Sequence, residues 1–357
     1  MIRVLRLVSL GLAVPLCLAA QPSADSGKTD ISHKAARLFR TSEPLALTLE
    51  SDFKAVFKDR DSLSTKTWPG KLKFVSEKGD SVTLDVVLST RGHFRLRTCD
   101  FLPLKVAFNK EQTKGTLFGG EGSLKLGTHC KNGERYVQNT YVEYAANQMY
   151  NLLTPLSLKS RLTTVTYVDP ANPKFTVTQP GIWFQDQDDM VKEFGGKIVM
   201  QQGASGMDME PRQMAINDVF QYFIGNTDFS VYALHNYRIM QKDSALVYTA
   251  IAYDFDWSGL VNQPYAFPDY RLKEKYRIIR VTDRLFRGVV CYPTDMLNDV
   301  LGMFRTKKDS LLGTLRAIKE ITPARYKEAE DFLGKFYKEI DDPKRVKEVF
   351  GAPCERG

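Results

Sequence analysis

The sequence predicts an α+β protein of two lobes, an N-terminal antiparallel β lobe carrying one helix and a mainly helical C-terminal lobe. Apolar residues alternate with polar ones in short runs between Leu45 and His129, the period of a half-buried strand. They recur at three- to four-residue spacing from Val142 to Leu153 and again in the C-terminal third, the period of an amphipathic helix. The polar cluster Gln185 to Asp189 makes a crossing between lobes, with the β-rich lobe at 36–184 and the helical lobe at 185–357.

LALTLES, KLKFVS, SVTLDVVLS, LPLKVAF and SLKLGTH read as strands, with Ser76 to Asp80 as turn chemistry between two of them. Thr140 and Glu143 spell a capping box, so a helix is expected from there to the stop at Thr154 and Pro155. RLTTVTYVD and FTVTQPGIWF return to strand character around a turn from Asp169 to Pro173. Pro211 opens a helix whose apolar face is Ile216, Val219, Phe220 and Phe223, and NYRIMQ pairs with ALVYTAIAYDF across the turn KDS. Farther on, Thr294 and Thr322 are expected N-caps, with Pro323 at the first helical position. Leu312, Leu315 and Ile318, then Phe332, Phe336 and Ile340, form the apolar faces there.

Residues 1–20 read as a secretory signal peptide: Arg3 and Arg6 precede an apolar run from Leu7 to Ala20 that is too short to span a bilayer. The chain is therefore expected to be exported to the periplasm, the cell surface or the exterior, with no transmembrane segment in its mature part. Val14, Pro15 and Leu16 make a poor lipobox before Cys17. Residues 21–35 are polar and aperiodic and read as a flexible tether. Cys99, Cys130, Cys291 and Cys354 remain, an even count that implies two disulfides in an oxidising compartment. Proximity suggests Cys99 with Cys130 and Cys291 with Cys354, although four cysteines allow three pairings. The formal net charge of +8 falls by two with the leader and includes no dense Lys/Arg run, so nucleic acid is not an expected partner. CxxC and HExxH are absent, which argues against zinc.

The chemistry concentrates between Gly225 and Gly259, where Asp228, Asn236, Asp254 and Asp256 supply hard oxygen donors within one window. Magnesium commonly takes one or two protein carboxylates and leaves its other positions to water and phosphate. Asp254 and Asp256 alternate on an expected strand and would face the same way, which is unfavourable unless a cation or an arginine sits between them. Each residue also has a plainer role. Asp228 suits a turn or cap, Asn236 a turn amide, Lys105 a solvent-facing strand position and Glu143 a cap. His235 reads as a hydrogen-bonded structural histidine, and Tyr222, Phe223, Phe229, Tyr232, Tyr237 and Tyr253 as core.

The order of STRGHFR, LPLKVAF, TYVEYAANQMYNLL, LTTVTYVD with TQPGIWFQD, GNTDFSVYALHN and AYDFDWSG, from residue 85 to 260, resembles the spore-coat CotH family of atypical secreted protein kinases. The resemblance implies a bilobal, protein-kinase-like fold. It implies an exported phosphotransferase that moves a phosphoryl group from ATP or another nucleotide to a protein or other hydroxyl, with Mg as cofactor. Lys105 would reach the nucleotide phosphates, Glu143 would orient that lysine, and Gln185 and Asp186 would form the hinge beside the base. Asp228 would be the catalytic base or hydroxyl-orienting residue, Asn236 a metal ligand, and Asp254 or Asp256 the principal magnesium ligand. After Arg91-Gly92 the chain departs from the family's small hydroxyl residues, with His93, Phe94 and the basic insert RLRTCD. Gly115, Gly119, Gly120 and Gly122 read as an exposed hairpin tip. The alternative is a non-catalytic envelope or surface scaffold, or a pseudokinase, that keeps the fold and binds a partner; its aspartates would be tied up by arginines or backbone amides. A hydrolase is disfavoured, because no GxSxG elbow occurs and Asp254 and Asp256 lie too close in sequence for a glycosidase pair.

Overall fold

A computed structural model describes residues 36–351, apart from 173 and 243–245. The expected signal peptide, the tether and Cys354 lie outside these residues. The period-two runs form seven strands: β1 (Leu45–Ser51), β2 (Trp68–Val75), β3 (Ser81–Thr90), β4 (Leu104–Phe108), β5 (Ser123–Thr128), β6 (Ser160–Val168) and β7 (Thr176–Phe184). They close into a barrel in the order β1-β2-β3-β4-β5-β7-β6. Neighbours are antiparallel except β1 and β6, which run parallel from Leu45 opposite Thr163 to Glu50 opposite Val168. Inward residues such as Leu49, Leu72, Leu88, Val106, Leu126 and Trp183 are fully or almost fully buried and share one core.

This corrects the expected architecture. The protein is not a bilobal, kinase-like molecule with an antiparallel sheet lobe; it has a closed, mixed seven-stranded barrel, a separate three-stranded sheet and helices. Alternation reveals which side chains face inward, but an open sheet and a barrel share that alternation. Closure depends on β1 finding β6, a pairing no local pattern encodes.

The segment between β3 and β4 forms a short helix, Phe94–Thr98, which the basic insert supplies. Cys99 follows it and is bonded to Cys130 at the end of β5, as proximity suggested. Both cysteines are buried with Leu96, Leu102 and Tyr265. Cys291 is also disulfide-bonded.

The helix after β5 runs from Glu134 to Leu153 and begins earlier than the capping box predicts, with Gly133 as its N-cap. Thr140 lies inside it and donates its hydroxyl to the Tyr136 carbonyl at 3.1 Å. Its polar residues are buried because partners distant in sequence satisfy them. Gln138 donates to the Glu320 carbonyl at 3.0 Å and accepts from the Thr322 amide at 2.8 Å. Asn139 accepts from Arg325 at 2.9 Å, and the Tyr150 hydroxyl donates to Asn217 at 2.6 Å.

The second sheet contains β8 (Gly196–Val199), β9 (Tyr237–Lys242) and β10 (Thr249–Ala252), in the order β10-β9-β8. The Pro211–Phe223 helix starts with proline at its first turn, as expected, and is capped by Glu210. Thr322 caps the Pro323–Ile340 helix through the Arg325 amide, whereas Pro293, not Thr294, occupies the N-cap of Thr294–Thr306. Leu312, Leu315, Ile318, Phe332, Phe336 and Ile340 are buried as predicted, but Tyr232 is 67% exposed. The glycines expected at a hairpin tip lie between the Lys110–Thr113 helix and β5, with positive φ at Gly115 and Gly120. Among the described residues no helix is long and apolar enough to cross a membrane.

Opening the 31-residue separation closed by Cys99 and Cys130 removes a constraint on the unfolded chain. The double variant Cys99→Ala/Cys130→Ala is expected to lose about 3–4 kcal/mol of stability, read from urea denaturation under oxidising conditions. An unchanged midpoint contradicts this assignment.

Candidate functional site

The loop from Asn226 to Asn236 is built on its own polar side chains. Asn226 accepts from the Asp228 amide at 2.9 Å, the turn chemistry expected of an asparagine there. Ser230 and His235 exchange two backbone hydrogen bonds of 2.9 Å and close the loop on itself. The Asp228 carboxylate is thereby brought to His235 Nε2 at 2.9 Å. Asn236 Nδ2 donates to the Asp228 carbonyl at 2.7 Å and to its Oδ2 at 3.1 Å. The hydrogen bond to Asp228 raises the pKa of His235, with burial opposing and the charges of Asp228 and Asp254 reinforcing it. Arg287 pins the loop from the other side, donating to the carbonyls of Thr227 and Phe229, the latter at 3.0 Å.

Asn236 leads into β9, and its carbonyl accepts from the Tyr253 amide at 3.1 Å. The chain beyond β10 is therefore held beside the loop. Asp254 and Asp256 sit on this stretch, not on a strand: β10 ends at Ala252 and Asp254 has φ +63°. The two acids still act on one another, Asp254 raising the pKa of Asp256. Asp254 is exposed and Asp256 buried. Burial, then the neighbouring Asp254 and Glu143, push Asp256 well above the usual carboxylate range. Tyr265 donates its hydroxyl to Asp256 Oδ2 at 2.7 Å.

Arginines balance these acids. Burial opposes the charge on Arg95, but Tyr265, Glu143, Asp256 and Asp254 around it outweigh burial and raise its pKa. Arg95 also donates to the Thr128 carbonyl, while its Nε is buried without a hydrogen-bond partner. Arg91 is lowered by burial and held up by Asp254. Lys125 is lowered to about 8 by burial and by Arg91 and Arg238, against the pull of Asp186 and Asp254. Acids and bases thus act on one another across the site, and nearby charges set which form each group takes.

Strain gathers here as well. Leu234, Asn236 and Asp254 all have positive φ, a conformation uncommon for non-glycine residues and held only when the surroundings over-determine it.

Asp228, Asn236, Asp254 and Asp256 come together with Glu143. Lys105 does not join them: it is exposed on β4, directly opposite Lys125 on β5. Lys125, from SLKLGTH, is the lysine in electrostatic contact with the acids. Glu143 is no cap; it is buried within its helix, and burial, despite Arg95, raises its carboxyl to about 7. Gln185 is buried and occupied, accepting from the Lys159 amide at 3.0 Å and donating to Glu193 at 2.7 Å. Asp186 caps the Gln187–Glu193 helix and reaches Lys125 electrostatically. Arg91, Arg95 and Lys125 were not predicted as site residues. Their one sequence signal is the density of basic residues in RGHFRLR together with the shared phase of Lys105 and Lys125.

Among the described residues no group of three or more His, Cys, Asp or Glu side chains is arranged to hold a metal ion. Asp254 and Asp256, two electrostatically coupled carboxyl groups, still fit magnesium, which takes few protein ligands. Two cavities, about 320 Å³ beside Gly259 and about 780 Å³ along β1, β2 and β3, contain none of these acids. No protein-family model and no curated protein matches the chain.

Because Glu143 binds its proton more tightly in the folded protein than in the unfolded chain, its stabilising contribution is complete below about pH 4.5 and lost as pH rises through about 7. Glu143→Gln is therefore expected to gain on the wild type by on the order of 2–3 kcal/mol between pH 4.5 and 8. Urea midpoints measured across that range test it; parallel pH profiles for the two proteins contradict it.

Proposed function

We propose that this chain is an exported phosphotransferase that moves a phosphoryl group from a magnesium-bound nucleotide, ATP or another, to a protein or other hydroxyl. The observation that carries the proposal is the electrostatic coupling of Asp254 to Asp256, His235, Arg91 and Lys125, beside the hydrogen-bonded Asp228–His235–Asn236 loop. Phosphoryl transfer asks chiefly for positioning and charge neutralisation, and both sets of groups are present. The barrel does not weaken the proposal, since chemistry belongs to sites and not to folds. The order of motifs that resembles the CotH family points the same way, although the fold that family implies is absent.

Asp254, Asp256 and the Asn236 carbonyl oxygen would hold the magnesium, which when bound neutralises phosphoryl oxygens. Arg91 and Lys125 bind the remaining anionic charge. Asp228, oriented by Asn236 and paired with His235, accepts or directs the proton of the attacking hydroxyl. The Cys99–Cys130 bond suits an oxidising compartment and supports export.

One observation favours a second reading, a non-catalytic envelope or surface scaffold: Asp256 is already compensated by Tyr265 and Arg95.

Isothermal titration calorimetry of the purified chain with nucleotide separates the two. Binding is expected with magnesium and not with EDTA, and Asp254→Asn is expected to weaken it at least about tenfold. Lys125→Ala should weaken binding comparably, whereas Lys105→Ala should leave it unchanged. Asp228→Asn should preserve binding while lowering transfer by about 10²-fold or more. Absence of any magnesium-dependent heat at millimolar nucleotide sinks the phosphotransferase and leaves the scaffold.

A further inference from the structure

The chain from Phe267 to Arg280 forms an exposed apron of alternating aromatic and basic character. Phe267 is 58%, Tyr270 72% and Ile279 65% exposed. Among them stand Arg271, Lys273, Lys275, Arg277 and Arg280, all at the surface of or just after the Tyr270–Tyr276 helix. Asp269 neutralises Arg271 and Asp283 neutralises Arg280. Lys273, Lys275 and Arg277 have no ion-pair partner among the described residues.

The apron is attached to the candidate site at two points. Phe267 packs on Trp257 at 5.0 Å and on Phe94 at 6.3 Å, and Trp257 directly follows Asp256. Asp269 acts electrostatically on Arg287, whose guanidinium holds the carbonyls on either side of Asp228. The apron therefore adjoins the loop that carries Asp228.

We propose that this apron docks an acidic segment of polypeptide and presents its hydroxyl-bearing side chain to Asp228, which makes the acceptor an acidic protein; the proposal rests on the phosphotransferase reading above. Exposed aromatic residues anchor protein partners, and rim cations select them by complementary charge. The pattern fits a polypeptide better than a bilayer or a nucleic acid. Anionic membranes are read by clusters of about 4–8 Lys/Arg, whereas here three cations lack an ion-pair partner among the described residues, Lys275 lies over the Tyr276 ring at 5.1 Å and Glu274 interrupts them. Nucleic acid likewise calls for a longer basic stripe.

The test is fluorescence anisotropy of the full chain, without nucleotide, against a labelled serine peptide flanked by glutamates and one leucine. Binding is expected to weaken at least about tenfold when the glutamates are changed to glutamine, and by a similar factor in the surface variant Lys273→Glu/Lys275→Glu/Arg277→Glu. Phe267→Ser should weaken it independently of salt. Equal affinity for the glutamate and glutamine peptides overturns the proposal even if the variants misfold. So does binding of phosphatidylglycerol vesicles or a single-stranded oligonucleotide through the same three cations with no peptide binding. Peptide binding retained in Asp254→Asn, but with no transfer by the wild type, removes the phosphotransferase and leaves the docking surface intact. Transfer unaffected by the triple variant does the reverse.

Discussion

A buried guanidinium demands opposite charge and hydrogen-bond acceptors, and Arg95 draws them from three parts of the chain. Thr128 ends β5, Glu143 lies on the Glu134–Leu153 helix, and Asp256 and Tyr265 follow β10. Barrel, helix and second sheet therefore meet around one cation. Removing a single partner from such a cluster typically costs about 3–5 kcal/mol, because it strands the charges that remain. The disulfide stands next to it, since Cys99 directly follows the short helix that carries Arg95.

That concentration of charge explains why the site can hold groups that are unfavourable one at a time. A carboxyl at Asp256 raised well above the usual range, a glutamate raised to about 7 and a left-handed backbone at Asp254 coexist within this cluster of compensating charges. The Glu134–Leu153 helix is tied to the C-terminal segment through polar residues satisfied by partners far along the chain. Unusual protonation and unusual φ collected in one place are a recurring mark of functional sites.

Much of the secondary structure was legible because local signals agreed with the final environment. Pro211, Thr322 and Pro323 mark helix starts by backbone chemistry that does not depend on the rest of the molecule. Thr140 and Glu143 misled for the opposite reason: a capping box and a buried polar pair look alike until the partners of Glu143 are known. Asp254 and Asp256 were legible as a pair, but through a turn and not the strand the alternation suggested. Lys105 and Lys125 share a phase on adjacent strands, and only the packing outside the barrel separates the exposed lysine from the one beside the acids.

The sequence by itself determined the periods of the strands and helices and the helix starts at Pro211 and Pro323. Each of these follows from sterics and hydrogen bonding over a few neighbouring residues. Only the tertiary structure decided that the sheet closes through a parallel pair, that Lys125 and not Lys105 meets the acids, and that Arg95 balances them. Barrel closure and charge compensation depend on residues brought together from distant segments, and no local pattern carries that information.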